Sequence, residues 1–209
     1  MNWKQLPLGP LQTNCYILWN QKKECLIFDP GGDGDRLISF IKGNQLKPLA
    51  VLLTHAHFDH IGALDIIRSH YEIPAFIHKK EASWLGDPAL NGSKFFGSAV
   101  SVRAAEQIIK EEGLLNISDF ELEVLETPGH SPGSISYYHK PSKAVFSGDA
   151  LFSGSIGRTD LRGGNQSQLL ESIHSKLLSL PEDTYVLSGH GPVTTISVEM
   201  DHNPFLNGF

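Results

Sequence analysis

The chain has 209 residues, 40% hydrophobic and 19% charged, with 23 acidic against 17 basic groups and a formal net charge of −6. A chain of this length buries roughly 70% of the surface its unfolded form exposes, which excludes extensive disorder and makes disulfide staples unnecessary. The acidic balance offers no broad positive field to a phosphate backbone or an anionic bilayer, so nucleic acid and membrane are set aside as partners.

From the N-terminus, residues 1–10 lack the continuous apolar run of a secretory signal. No stretch of about 18 apolar residues follows that would span a membrane. A cytoplasmic protein is expected. Cys15 and Cys25, the only two cysteines, fall on what read as the two strands of a hairpin, where they could face each other. Buried reduced thiols are expected there rather than a disulfide.

Short runs rich in β-branched or aromatic residues predict strands at Cys15 to Trp19, Cys25 to Asp29, Ala50 to Thr54, Ala75 to His78, Leu122 to Glu126, Ile135 to His139, Ala144 to Ser147 and Tyr185 to Ser188. Apolar residues spaced for one helical face predict helices over Asp35 to Ile41, His60 to Ser69 and Asn165 to Leu178. The stretch Gly86 to Ser101 has weak periodicity but carries Leu90, Phe95 and Phe96. It reads either as a functional loop such as a substrate lid, or as a surface loop anchored on the core. Strand-rich and helix-rich stretches alternate twice, before and after about residue 115. The expected architecture is an α/β (α+β) four-layer αββα sandwich, with sheets inside and helices outside, built as one domain over 1–209.

The unusual entry in the composition is ten histidines. Four candidate ligands crowd into T-H-A-H-F-D-H, Thr54 to His60, between an apolar strand and a helix expected to open near Ile61. If the chain stays extended there, alternate residues point one way, and His55, His57 and Asp59 converge while His60 turns in at the helix start. Asp59 alone reads equally well as an N-cap. Three later residues share one context, a polar side chain at a strand end inside a Gly or Pro turn: His130 in T-P-G-H-S-P-G, Asp149 in S-G-D-A and His190 in S-G-H-G-P. The seven exceed what one tetrahedral site with a water can use. Two divalent ions fit the count, His55, His57 and His130 on one, Asp59, His60 and His190 on the other, and Asp149 bridging. Such a pair holds a hydroxide near neutrality. The donors suit zinc first, with iron or manganese also admitted. His70, His78, His139, His174 and His202 lack this context, and His139 and His174 read as surface residues.

At these positions the sequence resembles the metallo-β-lactamase fold superfamily, whose signature is H-x-H-x-D-H followed by a separate His, an Asp and a final His. Within it, Gly148 to Leu161 (G-D-A-L-F-S-G-S-I-G-R-T-D-L), T-N-C-Y at Thr13 and N-P-F-L at Asn203 are similar to short bacterial glyoxalase II-like (hydroxyacylglutathione hydrolase-like) enzymes. The resemblance implies a metal-dependent thioester hydrolase, acting on an S-2-hydroxyacyl thiol such as S-lactoylglutathione through a metal-bridging hydroxide. Only residues 191–209 follow His190, so the C-terminal helical domain of longer relatives is not expected. Another small thiol is therefore as admissible as glutathione. Asp59 and Asp149 are the expected catalytic carboxylates, Asp59 also orienting the hydroxide. Arg158 is the candidate for a substrate carboxylate, with an ion pair to Asp160 as the competing reading.

The alternative is an iron persulfide dioxygenase using His55, His130 and Asp149. A lactonase ranks below it. A β-lactamase ranks low because an aspartate at the Asp149 position is not the usual lactamase pattern, and an RNA-processing nuclease ranks low on charge.

Overall fold

A computed structural model describes residues 1–97 and 99–206. Two compact units divide the chain, Met1–Lys110 and Glu111–Phe209, close to the division expected near residue 115.

The first unit is a six-stranded sheet in the order β1-β2-β3-β4-β5-β6. Its strands are β1 (Asn2–Leu8), β2 (Thr13–Trp19), β3 (Glu24–Phe28), β4 (Lys47–Leu52), β5 (Ala75–His78) and β6 (Gln107–Ile109). β1, β2 and β3 pair antiparallel, then β3 to β6 run parallel. Parallel neighbours need a crossover. Helix α1 (Gly34–Gly43) supplies one, and the short α2 (Phe58–Ile61) with α3 (Leu64–Tyr71) supplies the next. Leu37 and Ile41 of α1 and Leu64 and Ile67 of α3 are buried in one apolar cluster with Ile17, Ile27, Val51 and Ile77 of the sheet.

The helix expected from His60 to Ser69 is thus two pieces. It opens earlier, at Phe58, and breaks at Gly62 and Ala63, where the Gly62 Cα lies so close to the backbone that an added Cβ would come within 2.3 Å of the Gly31 carbonyl oxygen. β1 was not foreseen. It is an edge strand whose first half, Asn2 to Gln5, is exposed or half-buried and largely polar, so it lacks the apolar run that marks the central strands. Cys15 and Cys25 are both buried free thiols. The register places Cys25 opposite Trp19 and Cys15 opposite Leu6, so the thiols share a face without facing each other. Burial raises both pKa values, that of Cys25 to about 12.

The second unit has a six-stranded sheet ordered β14-β13-β10-β9-β8-β7. Its strands are β7 (Gly113–Ile117), β8 (Phe120–Glu126), β9 (Ile135–His139), β10 (Ala144–Gly148), β13 (Tyr185–Ser188) and β14 (Thr194–Thr195). A two-stranded hairpin, β11 (Leu151–Phe152) with β12 (Ser155–Ile156), lies outside it. Every pair in the large sheet is antiparallel except β10 with β13. Between those two runs α4 (Gln166–Ser172), which continues into a π-helical turn, Ile173–Leu177. Leu169, Ile173 and Leu177 bury against Val145 and Val186, the face read from the sequence. Asn165 caps α4 by accepting from the Gln168 N–H. The last helix, α5 (Ile196–His202), is capped by Thr195.

Candidate metal centre

The candidate ligands cluster just beyond strand ends. In the first unit, the chain leaves β4 through Leu53 and Thr54, remains extended at His57, and turns into α2 at Phe58. His55, His57 and Asp59 therefore do not form one extended alternation. Asp59 and His60 project from a single helical turn, and the N-cap position belongs to His57 rather than Asp59. The group is still compact: the His55 ring lies 4.8 Å from that of His57 and 4.1 Å from that of His60, centroid to centroid. His60 Nε2 stands 3.7 Å from Asp59 Oδ2.

Hydrogen bonds fix the tautomers. His60 Nδ1 lies 3.0 Å from Asp29 Oδ2, and because a carboxylate only accepts, Nδ1 carries the proton and Nε2 the lone pair. Thr54 donates its hydroxyl to the same Asp29 oxygen at 2.6 Å. With its one proton committed, Thr54 Oγ1 accepts from His55 Nδ1 at 3.0 Å, so His55 also presents its lone pair at Nε2. Asp29 Oδ1 completes the arrangement by accepting from the Thr54 N–H at 2.8 Å. Asp59 Oδ2 accepts from the Thr13 hydroxyl at 2.8 Å, and buried Glu81 accepts from the Ala56 N–H at 2.6 Å, between the two histidines. Histidines whose second nitrogen is tied to a carboxylate or carbonyl are what metal ligation requires.

In the second unit, Asp149 and His190 follow β10 and β13, the one parallel pair of that sheet, at their carboxyl ends. His130 follows β8. Asp149 Oδ2 lies 3.6 Å from His130 Nε2 and 3.7 Å from His190 Nε2. Those separations exceed hydrogen bonds. Two ligand atoms each about 2 Å from one ion at a tetrahedral angle stand roughly 3.3–3.5 Å apart, so the spacings in both units suit a shared cation. His130 Nδ1 donates to the Arg158 carbonyl at 2.8 Å, again leaving Nε2 for ligation. The donor chemistry of each unit therefore fits divalent metal.

Arg158 takes part through its backbone. Its guanidinium forks onto Asp160 with two 2.8 Å bonds and is exposed, and the pair holds the Asp160 carboxyl down to about 2. The ion pair weighed in the sequence is the one formed.

Outside the seven, His70, His174 and His202 are exposed. His139 is fully buried, which corrects the expectation of a surface residue: it ends β9, bonds Ser142 Oγ through Nδ1 at 2.8 Å, and burial lowers its pKa to about 4. Asp29, Thr54, Thr13 and Glu81 were not foreseen as supports. Asp29 carried a usable signal, because F-D-P-G-G repeats the context of a polar residue at a strand end in a Gly and Pro turn.

Among proteins of known sequence, the chain is 57% identical to a probable metallo-hydrolase of Bacillus subtilis, YqgX, covering 100% of this chain and 99% of that one. It is 36% identical to the hydroxyacylglutathione hydrolase GloC of Haemophilus influenzae, covering 99% of each. Among solved structures, BLEG-1, described as a B3 metallo-beta-lactamase, superposes with a TM-score of 0.97 at 57% identity, covering 99% of this chain and 100% of that one. The sequence profile of the Metallo-beta-lactamase superfamily matches residues 8–190, a span that contains all seven candidate ligands. By its fold and these relationships, the chain belongs to the metallo-beta-lactamase superfamily.

Proposed function

We propose that the protein hydrolyses a thioester, an S-2-hydroxyacyl thiol with S-lactoylglutathione as the reference substrate, and that its two ligand groups serve one pair of divalent ions. Zinc is the first candidate, with iron or manganese admitted by the same nitrogen and oxygen donors. The observation that carries the reading is the set of fixed tautomers: His55, His60 and His130 each commit Nδ1 to a protein acceptor and turn Nε2 to ligation. Full-length similarity to a hydroxyacylglutathione hydrolase supports the thioester.

When bound, the metals would polarise the carbonyl and bring the pKa of a water toward neutrality. The chain's own residues do the positioning. Asp29 holds His60 and, through Thr54, His55. The Thr13 hydroxyl holds one oxygen of Asp59, so the carboxylate meets substrate in one orientation. Asp149, beside both His130 and His190, supplies the charge common to that group. A thiol of pKa about 8.5 leaves as thiolate without a strong general acid. A small-molecule thioester and a cytoplasmic setting complete the reading. Among the described residues no helix is long and apolar enough to cross a membrane.

A second reading, β-lactam hydrolysis, is favoured by the 57% identity to BLEG-1. One panel separates the two on metal-loaded protein: S-lactoylglutathione, a chromogenic cephalosporin, a lactone, and glutathione persulfide with oxygen uptake. Thioester hydrolysis is expected to dominate, and Asp149→Ala is expected to lose both bound metal and turnover. Cephalosporin turnover that exceeds thioester turnover, or full activity in Asp149→Ala, overturns the proposal.

A further inference from the structure

The first unit contains a cavity of about 370 Å³ with Asp59 in its wall. Leu8, Pro10, Leu11, Phe58, Phe96 and Val100 give it an apolar lining. Phe58 immediately precedes Asp59, and its ring lies 4.9 Å from that of Phe96. Leu11 and Phe96 stand at the rim, 46% and 57% exposed. Large apolar side chains left in water around a concavity cost free energy that an apolar occupant recovers, and a few hundred Å³ is the size of small-molecule sites.

The wall is built rather than incidental. The turn between β1 and β2 is held where the Gly9 N–H donates to Asp33 Oδ2 at 2.9 Å and where the Gln12 side chain donates to the Gly9 carbonyl at 2.7 Å. Gly32 packs so closely on it that an added Cβ would sit 2.7 Å from the Gly9 Cα. Pro10 and Leu11 are thus presented on a fixed tip. Among the described residues, the only charged one in the lining is Asp59. Apart from the metal that Asp59 would hold, the described lining offers a carboxylate no ion-pair partner, whereas an uncharged hydrocarbon group would meet matching surface.

We infer that this cavity receives an apolar side chain of the acyl group, making the preferred substrate a thioester whose acyl part is larger and more hydrophobic than lactoyl. The inference rests on the hydrolase reading above and names the substrate class within it. The acyl group is chosen over the thiol because its side chain is one bond from the reacting carbonyl, next to Asp59. Small cellular thiols instead carry charged groups that the lining does not match.

The test holds the thiol constant and varies the acyl group: N-acetylcysteamine thioesters of lactate, 2-hydroxyhexanoate and mandelate on the metal-loaded protein. kcat/KM is expected to rise about tenfold or more from lactate to the larger acyl groups. Phe96→Asp and Leu11→Asp are expected to collapse that ratio. In parallel, the neutral fluorophore N-phenyl-1-naphthylamine reads the cavity without turnover. Its fluorescence enhancement is expected in the parent protein and in Leu114→Asp, a change at an exposed residue of the second unit, and lost in the two rim variants. Thioester turnover with no acyl preference and no rim-dependent fluorophore binding overturns this inference and leaves the hydrolase reading standing. Rim-dependent binding without any thioester turnover overturns the hydrolase reading and leaves an apolar-ligand cavity.

Discussion

At the residue scale, the ligands are less informative than what holds them. Asp29 is in the left-handed region, with φ of 47°, a conformation asparagine tolerates nearly as well. Asp29→Asn therefore keeps shape and backbone while removing the charge that accepts from Thr54 and His60. Loss of such a support costs about 10–100-fold in metal affinity. We expect a decrease in that range by competition with a chromophoric chelator, with Tm of the metal-free protein little changed. Unaltered affinity would mean that the His55 and His60 tautomers are set by something else.

His139 gives a second prediction, remote from the ligands. Its pKa falls from 6.5 to about 4 through burial. Between those values the unfolded chain takes up a proton that the folded chain refuses, so this residue lowers stability as pH drops from about 6.5 to about 4 and adds no further dependence below. The full effect is at most about 3–4 kcal/mol. His139→Gln is expected to flatten the dependence of unfolding free energy on pH in that window, measured by denaturant titration of metal-free protein. Parallel curves for the two proteins would refute the assignment.

At the element scale, two glycines clamp the acidic ligands. A Cβ on Gly31 would lie 1.8 Å from the Asp59 carbonyl oxygen, and one on Gly157 would lie 1.9 Å from that of Asp149. Neither distance is compatible with a side chain, so Gly31→Ala or Gly157→Ala must displace the backbone that carries the carboxylate. Both are expected to lose metal affinity by more than about tenfold and to lower Tm, since close backbone approach is glycine's particular use. Gly43→Ala, at the end of α1 with open space around it, is expected to leave Tm unchanged or raised. A well-folded Gly157→Ala with normal metal uptake would contradict the clamp.

This scale also marks where sequence reading succeeds. β5, β9 and β13 match their predicted bounds, because each is a short apolar run closed by punctuation. β1, β6 and β7 lie at sheet edges or have mixed exposure, so tertiary pairing rather than local pattern defines them. The seven candidate ligand positions are legible as polar residues at or just beyond strand ends. Asp29 reaches His60 and Thr13 reaches Asp59 across 31 and 46 positions in sequence, and Glu81 reaches Ala56, between His55 and His57, across 25; only folding brings such contacts together. Within Gly86 to Ser101, Phe96 and Val100 line the cavity while Phe95 is exposed, so a loop anchored on the core by its phenylalanines is not what forms. Ser98 of that stretch lies outside the described residues.

At the scale of the whole molecule, the ligand set is divided between the two compact units: His55, His57, Asp59 and His60 in Met1–Lys110, and His130, Asp149 and His190 in Glu111–Phe209. If these residues serve one metal pair, as proposed, metal binds the folded chain and not the unfolded one, and stability rises with free metal by mass action. At a free concentration about 100-fold above Kd the gain is about 2.7 kcal/mol. For a chain of this size that corresponds to an increase of roughly 5–11 °C in Tm. Chelation followed by readdition of zinc is expected to remove and restore that increment. The division also supplies the control. Asp149→Ala alters only the second unit, yet with a shared pair that Asp149 bridges it should abolish most of the zinc-dependent shift. If the units instead bound metal independently, the variant would keep the first unit's metal and a substantial part of the shift. Metal content per chain, measured beside the melting curves, decides between one shared centre and two separate ones.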